Sequence, residues 1–327
     1  MKARHGGAAL LTAMLTVALV AVFAAASLWQ QWRSIEVETA ERARVQSSWV
    51  LTGALDWARL VLREDGRTAG DHLGEPWAVP LQEARLSSFL AADRNSTADT
   101  GPEMLDAFLS GQIIDMHSLL NVTNLVEANG KISESGLESF ARLFELLGLP
   151  PAQLQRLAEN LRFARDTSGG NQSSPMAPLV PQRVEQLVWL GLTEQTLAAL
   201  QPYITVLPPG DPTTVNLNTA SAEVIYAAVP GLTMAEAQQL VSERERSHFR
   251  TIPDASLRLG GPQRIPMGQS GAGVASRYFE VRSRLRLNKL VVEERALLDR
   301  SGQDVRVVQR ERGIVDPTAL SRAASKR

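Results

Sequence analysis

The sequence predicts an α+β protein: one long N-terminal helix, a C-terminal antiparallel sheet, and a large all-helical insertion between them. Three observations carry this. Residues 8–64 contain no Pro and a single Gly, Gly53, so one helix can run through them. Near the other end, Tyr278, Glu280, Arg282, Arg284 and Arg286 alternate with Phe279, Val281, Ser283, Leu285 and Leu287, the period of a half-buried strand. Between these ends, roughly residues 120–274 read as short amphipathic helices punctuated by Gly, Pro and Asn.

The beginning of the chain sets its compartment. Lys2 and Arg4 precede Gly6-Gly7, and the run from Ala8 to Leu28 carries no charge. About twenty residues at about 1.5 Å each match the roughly 30 Å of a bilayer core. Three readings compete. Ala24-Ala25-Ala26 offers a signal-peptidase site, but the run exceeds an ordinary signal core. A plain transmembrane anchor explains the run alone. A prepilin-type leader, cut after Gly7 with the helix retained, also explains the Gly-Gly pair and the helical sequence beyond Leu28. The basic residues before the run place the N-terminus in the cytoplasm and the rest outside it. This divides the start into a leader (1–7), a membrane segment (8–28) and a projecting helical stalk (29–65).

Composition narrows the function. The chain has 327 residues, with 34 Lys+Arg against 35 Asp+Glu, a balance unlike that of a general nucleic-acid binder. It has no Cys, which excludes disulfides and thiol chemistry, so the head must hold together through its core.

In the stalk, Trp32, Ile35, Val45, Trp49, Leu55 and Leu62 leave an apolar stripe among charged neighbours. Asp65-Gly66 ends the helix, and Asp71–Ala78, with Gly74 and Pro76, reads as a loop opening the head (66–119). Residues 93–102 read as a polar turn region. Phe108–His117 reads as a short strand or turn leading into Leu120-Asn121-Val122-Thr123-Asn124-Leu125. Ser135 and Glu138 suggest a capping box before Leu137, Phe140, Leu143, Phe144 and Leu147, with Gly148 as the stop. Pro150-Pro151 suits the first turn of the next helix, through Leu161. After a loop at 166–181 come a helix pair over Val184–Leu190 and Thr193–Leu200. Val215-Asn216-Leu217-Asn218-Thr219-Ala220 echoes the Asn121 segment, a weak repeat in which an Asn turn opens a helical unit. Helices follow at Ala222–Val229 and, behind a Thr233/Glu236 capping box, up to about Arg246; Ile252–Gly273 reads as a linker. The last unit (275–315) reads as three antiparallel strands with turns at Asn288-Lys289 and Ser301–Asp304, and the tail (316–327) as disordered.

Gly7 before an apolar helix, His72-Leu73-Gly74-Glu75-Pro76-Trp77-Ala78, Gly111 through Asp115, the Asn121/Asn124 segment, Asn216–Ala220 and the three closing strands together resemble the type II secretion minor pseudopilin K (GspK) family. The resemblance spans nearly the whole chain and is specific in the order of its motifs. It implies a pilin-type fold with a helical insertion, cleavage by prepilin peptidase between Gly7 and Ala8, and N-methylation of Ala8. It further implies an inner-membrane protein with a periplasmic head, working with the secretion platform. Its place would be the pseudopilus tip, beside minor pseudopilins I and J. The family's usual pilin-like relatives carry Glu at mature position five; here that position is Thr12. A buried carboxylate in lipid needs a partner, so an uncharged residue suits a subunit with no neighbour on one side. The bland account is that Thr12, like Thr16, bonds a preceding carbonyl.

The segment 214–254 resembles a helix-hairpin-helix DNA-uptake module through Asn216–Ala220 and Pro230-Gly231, which makes a signal-anchored DNA-uptake or adhesion protein the alternative function. The second Gly of a phosphate-cradling hairpin is missing, and Glu223, Glu236, Glu243, Glu245 and Asp254 outnumber Arg244, Arg246 and Arg250, so no nucleic-acid partner is expected. His5, His72, His117 and His248 show no metal-ligand spacing, and Gly268–Ala272 departs from a nucleophile elbow. The expectation is therefore no enzyme and no cofactor, with calcium on oxygen ligands of the head as an open possibility. Trp77 is read as core, and Arg282, Arg284 and Arg286 as a solvated strand face rather than a docking face.

Overall fold

The computed structural model describes residues 6–68, 70–86, 107–166, 168, 177–261, 264–266, 271–287 and 290–314. The expected polar turn at 93–102, the tail at 316–327 and most of the leader lie outside these residues.

Helix α1 (Gly6–Asp65) is continuous over 60 residues, roughly 90 Å at the usual rise. Its first part is long and apolar enough to cross a membrane and makes no contact that buries it. Within that part the Thr12 hydroxyl donates to the Ala9 carbonyl at 2.9 Å, and Thr16 does the same to Ala13. The last part of α1 buries one face, and the apolar stripe read from the sequence divides there: Leu55 and Leu62 are buried, whereas Val45 and Trp49 are exposed. Leu51, Leu55, Ala58 and Leu62 are buried against a sheet, at the spacing that places residues on one helical face.

That sheet has five antiparallel strands in the order β1 (Leu81–Arg85), β2 (Ala107–Asp115), β7 (Tyr278–Leu287), β8 (Leu290–Ser301) and β9 (Asp304–Ile314). It is larger than the three strands expected. Strand β2 carries a Ser-Gly-Gln interruption that blurs its alternation, and β1 is short with an irregular register between Leu81 and Ala84. Both read weakly in sequence, and both are stabilised here by pairing. Phe279, Val281, Leu285, Val292, Ala296, Leu298 and Val305 fill the inner face beneath α1. Trp77 is buried and meets the Phe279 ring edge-on at 5.2 Å between centroids.

Strands β2 and β7 are neighbours in full register, from Ala107 opposite Leu287 to Asp115 opposite Phe279. Everything between Asp115 and Tyr278 is thus an excursion from what would otherwise be a hairpin. The excursion has its own apolar core, running from Leu120 to Ala272 in sequence. Its helices are α2 (Glu134–Leu146), α3 (Pro151–Arg165), α4 (Glu194–Leu200), α5 (Ala222–Ala228), α6 (Met234–Arg246) and α7 (Ile252–Arg258). Two short parallel ladders pair β3 (Leu120–Asn121) with β4 (Ile204–Thr205) and β5 (Val215–Asn216) with β6 (Ala272–Gly273).

Three local readings need correction. Ser133, not Ser135, caps α2: its hydroxyl accepts from Gly136 N at 3.1 Å, and Ser135 lies inside the first turn. Val184–Leu190 is a 3-10 turn ended by Gly191 at φ 94°, not an α-helix. The stretch 252–273 is not a plain linker. Thr251 caps α7 and Asp254 reaches back to Arg250 N at 3.1 Å, while Pro253 sits in the first turn, where its missing N–H costs nothing.

Candidate functional site

The residues with the most unusual surroundings gather at the neck, where the helical excursion leaves β2 and re-enters β7. Asp115 ends β2 and is buried. Its carboxylate accepts from His117 N (2.8 Å), Thr219 Oγ1 (2.5 Å), Ser276 Oγ (2.7 Å) and Asn216 Nδ2 (3.1 Å). Asn216 also donates to the Asp71 carbonyl (3.0 Å) and Ser276 Oγ (2.9 Å). Asp71 accepts from Ser276 N (2.6 Å) and, with Asp65 at the end of α1, holds the buried Arg300 of β8. Arg300 donates as well to the Ser276 carbonyl at 2.9 Å and lies over the Phe279 ring. One connected set of polar groups therefore joins α1, the loop after it, both strands at the neck and the second Asn turn.

Burial dominates the electrostatics. It pushes the Asp115 carboxyl up, opposed by the nearby His117 and by the hydroxyl donors. Asp65, far beyond the apolar run, is pushed up to about 6 by burial and then by the Glu75 charge, against the pull of Arg300. Glu75 is also raised, chiefly by burial, although its Oε2 accepts from His72 N (3.0 Å) and Trp77 Nε1 (2.7 Å). Burial lowers His117, whose Nδ1 donates to the Thr214 carbonyl at 2.7 Å while Nε2 is buried with no partner among the described residues.

The arrangement is that of a joint. Thr219 and Ser276 donate to Asp115, and the His117 ring bonds a backbone carbonyl rather than either hydroxyl, so these described groups are not joined as a His-to-hydroxyl pair. Asp65, Asp71 and Glu75 can bring carboxylate oxygens within 4.8 Å of one another. Calcium on this cluster fits poorly, because Arg300 already engages Asp65 and Asp71, and burial favours protons on Asp65 and Glu75. A hard divalent ion would have to displace the guanidinium.

Sequence reasoning singled out Asp115, His117, Asn216 and Thr219 only as motif members and did not join them. Asp71, Ser276 and Arg300 lie up to 229 residues apart along the chain, so no spacing announces them. The histidines were separated in the sequence, yet His72 and His248 stack at 3.8 Å between centroids with 8° between planes. Burial lowers His248. The two Asn turns are alike in backbone: Asn121 Oδ1 accepts from Thr123 N (3.1 Å) and Asn216 Oδ1 from Asn218 N (2.9 Å), each just after a two-residue parallel strand. Gly7 and Thr12 lie within α1 with Ala8, remote from the neck. In the hairpin between α5 and α6, Gly231 takes φ 75°. The N-terminus of α6 is occupied by the Glu236 carboxylate, which accepts from Thr233 N at 2.9 Å. The hairpin carbonyls of Val229 and Leu232 accept from Arg142 of α2. On the sheet, Arg282, Arg284 and Arg286 pair with Glu280, Glu293 and Glu83, consistent with a solvated face.

Comparison with known proteins agrees with this architecture. Residues 118–209 and 215–275 match two family models, both described as type II secretion system protein K. Type II secretion system protein K of Pseudomonas aeruginosa is 29% identical over 313 residues, covering 88% of this chain and 86% of the relative. The protein of the same description from Pectobacterium carotovorum is 26% identical over 342 residues, covering 96% of this chain and 98% of the relative. Among solved structures, a chain of the GspK-GspI-GspJ complex from the enterotoxigenic Escherichia coli type 2 secretion system superposes with a TM-score of 0.62. It is 18% identical and covers 84% of this chain and 98% of its own, which supports the fold. The two family models and the two relatives, which span most of its length, support placing the chain in the type II secretion system protein K family.

Proposed function

We propose that this chain is a structural minor pseudopilin that caps the tip of the pseudopilus and helps initiate its assembly, with no catalytic role. The observation that carries the reading is where the helical excursion is rooted. Asp65, the last residue of α1, bonds Arg300 at 2.8 Å, and Arg300 joins the neck. The bulk of the excursion is therefore anchored at the end of α1 opposite the membrane segment. A subunit with an apolar helix free below and a large body above offers one half of a head-to-tail interface and blocks the other. The uncharged Thr12 agrees with this, since its hydroxyl is satisfied by Ala9 in its own helix.

The same reading assigns cleavage by prepilin peptidase between Gly7 and Ala8, N-methylation of Ala8, and a single-pass inner-membrane anchor with the head in the periplasm. Minor pseudopilins of the I and J types are its partners by analogy with the GspK-GspI-GspJ complex, and the inner-membrane secretion platform and membrane lipid complete the set. Nucleic acid is not among them. The Glu236 carboxylate occupies the helix end at which a phosphate would sit.

Gold labelling of sheared pseudopili tests the position. Label at one end of each filament is the expected result, and regular label along the shaft would refute it. Intact mass of the membrane-extracted protein should show a methylated start at Ala8; a start at Ser27 would restore the cleaved signal peptide.

A further inference from the structure

The outward face of α1 carries a feature that the fold of this chain does not require. Successive helical residues turn by about 100°, so Trp49, Gly53 and Leu60 fall opposite the buried Leu51, Leu55, Ala58 and Leu62. That side faces away from the sheet, where polar residues are the rule. Instead Trp49 is 74% exposed, Val45 53%, Leu60 51% and Trp57 46%. Gly53 lies one turn above Trp49 and one turn below Trp57. A glycine inside a helix weakens it relative to alanine. Nothing here compensates: a Cβ added at Gly53 would meet no described atom within 4 Å. The glycine is thus unneeded by its own chain, and close approach by another backbone is the remaining physical use for it.

We propose that Gly53, walled by Trp49 and Trp57, is a docking notch for the N-terminal helix of one neighbouring pilin-like subunit. A large aliphatic side chain of that helix would sit on Gly53 between the indoles. This deepens the assembly reading above and rests on it. Charge matching favours this occupant. Between Val45 and Leu60 the charged residues are Asp56 and Arg59, paired at 3.1 Å, and Arg59 also donates to the Val305 carbonyl; Arg310 and Arg312 of β9 reach Thr52 and Ser48 at the flank of this stretch, and both are paired with Glu294. Below this stretch lie Glu36, Glu38, Glu41, Arg42 and Arg44, and above it Arg63, Glu64 and Asp65. A neutral window in a charged stalk selects a neutral, apolar helix surface. Lipid is excluded as the occupant by height: Gly53 lies about 37 Å along the helix beyond Leu28, clear of the headgroup region. A helix anchored in the same membrane would arrive parallel to α1 and at the same level.

The test uses the full chain, extracted from membranes and co-expressed with I- and J-type minor pseudopilins. Gly53→Ala should raise the melting temperature of the chain alone while weakening retention of the partners about tenfold. Gly53→Leu should abolish retention without lowering the melting temperature. These opposite signs are not expected of a residue with a purely internal role. Gly53→Cys, treated with a short bis-maleimide alongside a partner carrying a single helix cysteine, should give a heterodimeric adduct. Normal retention by both variants would overturn the notch while leaving the assembly reading intact. A predominantly homodimeric adduct would overturn the assigned occupant. A wild-type chain that retains neither partner would overturn the assembly reading and the notch together.

Discussion

The two Asn turns of the helical excursion share a local pattern and differ in what they hold. Asn121 keeps its partners within the excursion: Oδ1 accepts from Thr123 N and Leu207 N, and Nδ2 donates to Thr213 Oγ1, all at 3.1 Å. Asn216 closes the same kind of turn but spends its amide on the Asp71 carbonyl, Asp115 and Ser276, which belong to the head and its neck. Both side chains are buried. The backbone geometry of a turn is therefore set by local sequence, whereas its structural role is set by distant residues. The first turn organises the excursion, and the second welds it to the sheet.

The weld can be broken most severely from beneath. Arg300→Met strips Asp65 and Asp71 of the guanidinium they share and should cost about 3–5 kcal/mol of stability at pH 7.5, read by urea unfolding of the intact chain in detergent. The loss should shrink on acidification. Asp65 has a folded pKa near 6, above its ordinary 3.8, so the native state binds the extra proton between those values. The associated stabilisation is present at low pH and is lost as pH rises through about 6; without Arg300, which pulls the Asp65 carboxyl down, the variant titrates higher still and regains more stability on acidification than the wild type does. A loss that grows between pH 7.5 and 5.5 would mean that Arg300 is not what balances these acids.

Replacing the two turn residues separates them directly. Asn216→Ala strips a donor from the buried Asp115 carboxylate and should cost about 3 kcal/mol, while Asn121→Ala, whose partners are neutral, should cost about 1–2 kcal/mol. The more telling readout is cooperativity. Asn216→Ala should split the calorimetric transition into two, one for the excursion and one for the head, whereas Asn121→Ala should shift a transition without splitting it. Splitting in both variants would erase the distinction between the turns.

A smaller effect sharpens the same contrast through His117, which joins Asp115 to the strand before the second turn. Its imidazole is held below the ordinary 6.5 by burial. The unfolded chain then binds more protons below pH 6.5, so the wild type loses stability as pH falls from 6.5 through the lower folded value. His117→Asn cannot take up that proton. It should be less stable than the wild type at pH 7.5 by about 1 kcal/mol, with a gap that narrows by pH 5.5. An unchanged gap would show that His117 does not titrate in this range.

These cases show which parts of the molecule were legible in sequence. The long helix and the closing strands announce themselves because their signals are local: unbroken helix formers to Asp65 and alternation from Phe279 to Leu287. The repeat of Asn turns was visible for the same reason. The neck was not, because Asp71, Asp115, Asn216, Ser276 and Arg300 are brought together only by the β2–β7 pairing, and a pairing between strands more than 160 residues apart leaves no local trace. Helix α7 was hidden by Gly- and Pro-rich neighbours, although Thr251, Pro253 and Asp254 form a usable start signal.

The helices that follow the two turns give the finest comparison. Ser133 is buried and its hydroxyl lies 3.1 Å from Gly136 N at the start of α2; Ser221 is exposed, and its hydroxyl lies 3.5 Å from Val224 N at the start of α5. The helix start after the first turn is also pressed against that turn, since a Cβ on Gly136 would overlap the Asn124 carbonyl oxygen. The Ser133 cap therefore works at a crowded, dry site, where an unsatisfied N–H has no water to replace the lost acceptor, and the Ser221 cap works at a wet one, where it does. Ser133→Ala should cost about 1–1.5 kcal/mol, Ser221→Ala about 0.5 kcal/mol, and Ser135→Ala close to nothing, because its hydroxyl holds no helix-end donor. Chemical unfolding of the three variants under one condition ranks them. If Ser135→Ala cost as much as Ser133→Ala, the cap would sit where the capping-box pattern first suggested, and the crowding at Gly136 would not be what selects Ser133.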